Sequence, residues 1–344
     1  MLLSRLDRAG GTRNGHLPEG ERTGMLRSMV PDRNTEQAVA TRLKLPRYAR
    51  FLFGLGVLLL LGACVPTTRD MVAAGTVTPQ DFEVRLPIQT YRGTVLVTAA
   101  AQGIGGRFVL DTGAAFTVLD RMPLPGKRLE VRSASGAEVT MTAAPVATLR
   151  LGAVEFRDTY AASGDLATLA ELIPDFLGLL GQAVLHKASW LIDYGRGEML
   201  LRSDPSPPPG FEEVSIHYRG GLPYVVLDID GTTVEALLDS GASTYLALPR
   251  QSPMAQRLRE VYPFREQAKT LLSIDGVRSD TQSVATLPRL GIGASVRHDV
   301  PVELRDIERP RLGARFLAAQ GRVFLQGGGS LWLAPAMPKL APPK

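Results

Sequence analysis

Short apolar runs, broken by glycines and polar turns, recur along the chain from about residue 85 onward. Residues 94–98 alternate as a strand does, and residues 107–110 are apolar after a glycine-rich stretch at 103–106 that we expect to turn. The 344 residues include 35 glycines and 25 prolines, and only 6% are aromatic. Many short strands joined by tight turns fit this composition better than a helical bundle, so the sequence predicts a mostly β fold.

The same pattern occurs twice. Residues 224–227 and 234–238 are apolar strand candidates on either side of a turn at Asp230-Gly231. The first series of strands ends in D-T-G-A at residues 111–114, and the second ends in D-S-G-A at residues 239–242. The two aspartates, Asp111 and Asp239, are therefore 128 positions apart.

Further landmarks repeat in the same order. They are the V-A-T-L runs at 146–149 and 284–287, the hairpin tips at 135–136 and 275–276, the L-L-G and R-L-G segments at 179–181 and 311–313, and closing hairpins at 190–201 and 323–333. We expect an extra helical stretch in each copy, at residues 165–176 and 251–270. Together with the D-T/S-G-A motifs, these landmarks make five matches in one order, which favours an internal duplication.

The repeat divides the chain into segments. We predict a leader at 1–63, a polar tether at 64–80, a first lobe at 81–202, a proline-rich linker at 203–210, a second lobe at 211–335 and a tail at 336–344. The formal net charge of +5 lies in the leader, which holds ten Lys/Arg and five Asp/Glu and leaves 29 of each for the rest. We therefore expect no nucleic-acid partner.

The leader carries an apolar run at residues 51–63, directly after a basic stretch. Thirteen apolar residues suit a signal peptide, whereas a spanning helix needs about 20. The run ends in L-G-A-C at residues 61–64, which resembles the lipobox of bacterial lipoproteins. The resemblance implies lipidation of Cys64, which is also the only cysteine of the chain, and a place in the cell envelope facing the periplasm. Residue 65 is valine and not the aspartate that resembles an inner-membrane retention signal, so the resemblance favours the outer membrane over the inner one. The true start, Met1, Met25 or Met29, stays open.

The two D-T/S-G-A motifs, each followed some seventy residues later by Leu-Gly, resemble the pepsin/retropepsin superfamily of aspartic peptidases. The resemblance covers about residues 85–335. It implies two duplicated retropepsin-like β-barrel lobes in a pepsin-like bilobal architecture with a few short helices, and an aspartic-type endopeptidase whose catalytic residues are Asp111 and Asp239. Whether the lobes pair within one chain or between two stays open.

Two carboxylates at close range explain the residue types. They cannot both ionise cheaply, so they share one proton, and one serves as base towards water while the other serves as acid. This chemistry requires neither metal nor cofactor, and its partner is a peptide or protein substrate.

The resemblance also implies supporting roles. Thr112 and Ser240 would hydrogen-bond across the lobe interface, and Gly113 and Gly241 would let each loop turn tightly and lend N–H groups to the carboxylates. The remaining implied residues are the loop-backing pairs and the candidate flap tips: Leu180, Gly181, Leu312, Gly313, Gly136 and Gly276.

Two features depart from the family pattern. Neither hairpin tip carries the aromatic residue that pepsin-like flaps place over the cleft. Ala114 and Ala242 stand where many pepsins have a hydroxyl bonded to the carboxylate. Loss of that bond disfavours the ionised form, so we expect activity nearer neutral than gastric pH.

Alternatives remain open. One is a lipoprotein of the same fold that binds peptide or cell wall without cutting. A second is a magnesium-dependent phosphatase, because D-x-D-G-T at residues 228–232 resembles motif one of the haloacid-dehalogenase type, with Asp228 and Asp230 as its carboxylates. At the repeat offset these positions match residues 100–103, where only the turn recurs. Ser243 lacks a G-x-S-x-G context, and the four histidines show no ligand spacing.

Overall fold

A computed structural model describes residues 67–133, 136–274 and 276–335, without the side chains of 271–273. The leader, Cys64 and the predicted tail lie outside these residues. All described residues belong to one compact unit, Cys64–Lys344. The prediction of a mostly β fold is confirmed.

The segments before residue 203 form what we call the N-terminal half. Its strands are β1 Thr76–Thr78, β2 Glu83–Tyr91, β3 Thr94–Ala101, β4 Ile104–Leu110, β5 Thr117–Asp120, β6 Lys127–Arg132, β7 Glu138–Leu151, β8 Val154–Gly164, β9 Phe176–Leu180, β10 Ser189–Asp193 and β11 Glu198–Arg202. Its helices are α1 Thr68–Ala73, α2 Ala167–Ala170 and α3 Gln182–Leu185.

The segments after residue 210 form the C-terminal half. Its strands are β12 Glu212–Val214, β13 His217–Arg219, β14 Leu222–Ile229, β15 Thr232–Asp239, β16 Leu246–Pro249, β17 Arg265–Ser273, β18 Gly276–Ile292, β19 Ser295–Arg305, β20 Arg311–Gly313, β21 Arg322–Leu325 and β22 Leu331–Leu333. Its helices are α4 Pro253–Val261 and α5 Ala314–Ala319. The loop between the halves, 203–210, contains neither helix nor strand.

The halves share one strand order. In the N-terminal half it runs β2-β3-β4-β9-β5-β8-β7-β6, and in the C-terminal half it runs β13-β14-β15-β20-β16-β19-β18-β17. Both orders place a late strand, β9 or β20, between two early ones. The first sheet continues through β11, β10, β21, β22 and β12, so that β10 of one half pairs antiparallel with β21 of the other. The closing hairpins predicted from sequence thus bridge the halves.

Several predicted elements differ in detail. The segment expected to be a polar tether contains α1 and β1. Thr67 caps α1 in a capping box with Asp70, and β1 pairs with β8. The helix expected over 251–270 ends at Val261, because β17 begins at Arg265 and pairs with β18 along its length. The turn expected over 103–106 is shorter, since β4 begins at Ile104.

The core is apolar and continuous across the halves. One cluster of buried side chains includes Phe108, Trp190, Leu238 and Phe316. A second cluster, in the N-terminal half, includes Met71, Phe116 and Leu179. Among the described residues, no helix is long and apolar enough to cross a membrane.

Candidate active site

Each predicted aspartate lies where a strand gives way to a loop. Asp111 follows the last residue of β4, and Asp239 is the last residue of β15. On one side, β9 and β20 run parallel to these strands, with Leu110 opposite Leu180 and Leu238 opposite Leu312. After each loop the chain returns as β5 or β16, antiparallel to the same β9 or β20. Each loop therefore wraps around the end of a buried strand.

The two loop-backing glycines have the same surroundings. A Cβ on Gly181 would lie 2.3 Å from the carbonyl oxygen of Phe116, and a Cβ on Gly313 would lie 2.3 Å from that of Thr244. Both distances are far below van der Waals contact, so only glycine fits. The predicted backing role of the Leu-Gly pairs agrees with this packing, and the backbone N–H of Asp111 also donates to the carbonyl of Leu180 at 2.9 Å.

Thr112 and Ser240 join the two loops reciprocally. The Thr112 hydroxyl donates to the carbonyl of Leu238 at 2.6 Å and accepts from the N–H of Ser240 at 2.9 Å. The Ser240 hydroxyl donates to the carbonyl of Leu110 at 2.7 Å and accepts from the N–H of Thr112 at 2.9 Å. All of these groups are buried, so the four bonds fix the loops to each other within one chain.

This connection brings the carboxylates together. A Cβ on Gly241 would lie 2.5 Å from the carboxyl carbon of Asp111, and a Cβ on Gly113 would lie 2.7 Å from that of Asp239. Each glycine thus packs against the aspartate of the opposite half. The N–H of Gly113 donates to Asp111 Oδ1 at 2.9 Å, whereas Asp239 Oδ1 accepts from the N–H of Ala242 at 3.0 Å instead of from Gly241.

The electrostatic environment favours a proton on Asp111. Burial, followed by the charge of Asp239, raises the pKa of Asp111 to about 7, although the Gly113 N–H and Arg311 act in the opposite direction. Only one proton is therefore needed to neutralise the repulsion between the carboxylates.

Arg311 is a functional candidate that the sequence reasoning missed. Its Nη1 lies 3.3 Å from Asp239 Oδ2, and both side chains are largely buried. It occupies the position before Leu312-Gly313, where the N-terminal copy has Leu179 before Leu180-Gly181. A charged residue in an otherwise apolar repeat position was the signal available in the sequence.

Both aspartates open onto a cavity of about 440 Å³. The N-terminal half lines it with apolar side chains, including Val109, Phe116, Leu129 and Ile173, and with the charged Arg92, Glu130 and Arg132. The C-terminal half contributes the charged residues Arg305, Glu308, Arg309 and Arg311 beside the apolar Leu222, Leu237 and Ile274.

The predicted flap tips differ in position. Gly136 lines the cavity, and next to it Arg132 forms an ion pair with Glu308 of the other half at 3.0 Å. Gly276 begins β18 and does not line the cavity. The β17–β18 hairpin contributes Thr270 and Ile274 instead. Ile274 packs against the apolar cluster of the N-terminal half, so both hairpins reach across the cleft.

The competing aspartate motif lies elsewhere. Asp230-Gly231 forms the turn between β14 and β15 with positive φ at both residues, as Gln102-Gly103 does between β3 and β4. Asp228 Oδ1 accepts from the Gly231 N–H at 3.0 Å, and Asp230 Oδ2 accepts from the Tyr262 hydroxyl at 2.7 Å. Both carboxylates thus serve the hairpin and its neighbour, and neither lines the cavity described above.

Comparison with models of known protein families and with curated proteins gave no match for this chain.

Proposed function

We propose that the chain is an aspartic endopeptidase that hydrolyses peptide bonds with water activated between Asp111 and Asp239. One observation carries the proposal: four reciprocal hydrogen bonds of Thr112 and Ser240 hold two carboxylates from distant parts of the chain against one cavity. A structural turn motif needs no such partner.

The chemistry balances with one shared proton. The ionised carboxylate takes a proton from water as the oxygen of that water bonds to the peptide carbonyl carbon, while the protonated carboxyl donates to the carbonyl oxygen. The proton taken from water is then transferred to the peptide nitrogen as the C–N bond breaks. The carboxyl that had donated to the carbonyl oxygen takes a proton back from a hydroxyl of the tetrahedral intermediate. The residues themselves supply every proton transfer.

The shared strand order supports the finer architecture in this proposal, two duplicated retropepsin-like lobes with a cleft between them. The parallel and antiparallel neighbours of β9 recur around β20, and the surroundings of Gly181 recur around Gly313. We place the lobe boundary in the proline-rich loop 203–210.

Envelope anchoring is part of the same proposal. The lipobox-like L-G-A-C at residues 61–64 supports a diacylated Cys64 and a periplasm-facing peptidase. Labelled palmitate should enter the protein in a bacterial host and should fail to enter the Cys64→Ser variant. Labelling of that variant would contradict a lipid on Cys64.

A fluorogenic peptide library tests the activity. We expect cleavage by the full chain and a loss of at least ~10³-fold in both Asp111→Asn and Asp239→Asn, because each removes one partner of the acid–base pair. Asp228→Asn is the matched control, since asparagine keeps the oxygen that accepts from Gly231.

The outcomes separate the alternatives. Peptide binding without cleavage in the wild type would indicate a non-cutting binding protein. Magnesium-dependent phosphatase activity lost in Asp228→Asn and retained in Asp111→Asn would instead support the phosphatase.

A further inference from the structure

We infer that Arg311 is a positioning residue that divides the roles of the two aspartates, holding Asp239 ionised as the base towards water and leaving the shared proton on Asp111. This inference rests on the proposed peptidase function and adds to it an asymmetry between the two halves.

The geometry distinguishes the two carboxylates by one cation. Backbone N–H groups face both carboxylates: Gly113 donates to Asp111 Oδ1 at 2.9 Å, the Ala114 N–H also favours the charged form of Asp111, and Ala242 donates to Asp239 Oδ1 at 3.0 Å. Within the described part of the chain, Asp239 has an arginine at ion-pair distance, on its Oδ2, and Asp111 has none. The same repeat position in the N-terminal half carries Leu179, a buried apolar residue that cannot stabilise a charge on Asp111.

Of the surrounding charges, Arg305 also acts on Asp239 electrostatically, but Arg311 is the arginine in contact with it. The charged side chains lining the cavity besides the two aspartates are Arg92, Glu130, Arg132, Arg305, Glu308, Arg309 and Arg311. Arg132 and Arg309 pair with Glu308, and Arg305 lies near Glu303 and Asp280 at 4.0 and 3.9 Å. Among these cavity-lining groups, only Arg311 forms an ion pair with either aspartate.

At the register positions that the structure describes, the strands paired with β20 place apolar residues opposite Arg311. On β15 it lies opposite Leu237, and on β16 it lies opposite Ala247. Asp239, at the end of β15, is the acidic group it reaches. The charge of Arg311 also lowers the pKa of Asp111, but its ion-pair contact is with Asp239.

The division of roles predicts how activity depends on pH. The active form carries one proton on the pair. The positive charge of Arg311 favours loss of the first proton from the pair and so extends activity to lower pH. Without the arginine, the first proton should leave the pair at higher pH, and the acid limb of kcat against pH should move up by at least about one unit, the usual effect of an opposite charge at this range.

The test compares three variants at one position. Arg311→Leu copies the N-terminal half, Arg311→Gln keeps a polar side chain without charge, and Arg311→Lys keeps the charge. We expect Leu and Gln to raise the acid limb by at least about one pH unit, and Lys to stay within about half a unit of the wild type. Arg85→Leu, which removes a distant exposed arginine paired with Glu198, is the control for charge alone.

Carboxyl titration followed by ¹³C chemical shifts separates this inference from the proposed function. With Asp111→Asn and Asp239→Asn to assign signals, Arg311→Gln should raise the lower titration midpoint of the aspartate pair whether or not the chain cleaves peptides. Absence of cleavage with a raised midpoint would contradict the peptidase and keep the charge assignment.

An unmoved midpoint and an unmoved acid limb in folded Arg311→Gln would overturn the inference. Should Arg311→Leu fail to fold, Gln and Lys carry the comparison. Equal shifts in Lys and Gln would also overturn it, since they would show that guanidinium packing, and not charge, matters.

Discussion

The two halves of the molecule present the same loop with different electrostatics. In both, an aspartate leaves a strand beside a buried Leu-Gly, and a hydroxyl residue bonds to the opposite half. In the N-terminal half, Leu179 lies behind the loop in an apolar cluster, whereas in the C-terminal half Arg311 contacts the carboxylate. The two halves thus share the backbone arrangement around the aspartates, while Arg311 gives one carboxylate an ion-pair partner.

The largest effect is expected where the halves are most alike. Gly113→Ala and Gly241→Ala each place a methyl group less than 3 Å from the opposite carboxyl group, so that carboxyl group or the loop carrying it must shift. We expect at least ~10²-fold loss of kcat from misplaced catalytic groups in both variants, and ~1–3 kcal/mol lower stability from overpacking.

Gly105→Ala is the control for these variants, because a Cβ there meets nothing within 4 Å. Peptide cleavage and urea unfolding are the measurements. Wild-type activity in either loop variant would show that the carboxylates do not need this spacing.

The hydrogen bonds of the Thr112 and Ser240 hydroxyls should contribute about equally to the free energy of unfolding. Thr112→Val and Ser240→Ala each leave one buried carbonyl and one buried N–H without a partner, so each should lower the free energy of unfolding by ~1–3 kcal/mol. The double variant should cost less than the sum, because both residues serve one network. Thr98→Val, at an exposed position, is the control in urea unfolding. Strict additivity would argue against a coupled network.

The pH dependence of stability should distinguish the aspartate of the N-terminal half from that of the C-terminal half. The raised pKa of Asp111 means that the folded state holds a proton that the unfolded state releases above about pH 4, so wild-type stability should fall as pH rises from about 4 to about 7. The size is on the order of 1 kcal/mol for each unit that the pKa is raised.

Asp111→Asn should remove this fall and raise Tm at pH 8, whereas Asp239→Asn removes the ion-pair partner of Arg311 and should not raise it. Thermal unfolding at pH 4 and pH 8 measures the difference. Equal Tm gains in both variants would mean that Arg311 does not distinguish the aspartates.

The smallest effect is expected at the ion pair between Arg132, at the end of β6, and Glu308 of the other half. Arg132 and Glu308 are about half exposed, and such ion pairs contribute only ~0–1 kcal/mol. Arg132→Ala should therefore change the unfolding free energy by less than ~1 kcal/mol in urea at low salt. A larger loss would indicate that the hairpin contact holds the halves together.

The sequence predicted the parts that depend on local pattern. The aspartate loops, the turn at Asp230-Gly231 and the closing hairpins follow from alternation and turn residues, which act over a few positions. The insertion of β9 between β4 and β5 depends on contacts some seventy residues apart, which no short pattern encodes.

The errors have identifiable causes. Residues 265–270 are rich in helix-favouring types, yet pairing with β18 makes them a strand, so tertiary contacts override local preference. The polar composition of 64–80 hid the cap formed by Thr67 and Asp70, a three-residue spacing that was visible in the sequence. Arg311 escaped prediction because it stands where the two halves differ, whereas the repeat is defined by the positions at which they agree.

Because β10 pairs antiparallel with β21, we expect the two halves to associate even without the connecting loop 203–210. Register partners such as Trp190 with Leu325 and Asp193 with Arg322 hold the two segments side by side without any covalent link. A gene split within that loop should yield two polypeptides that associate through the β10–β21 pairing. Each would bring a single aspartate, so assembly itself would become the switch for catalysis.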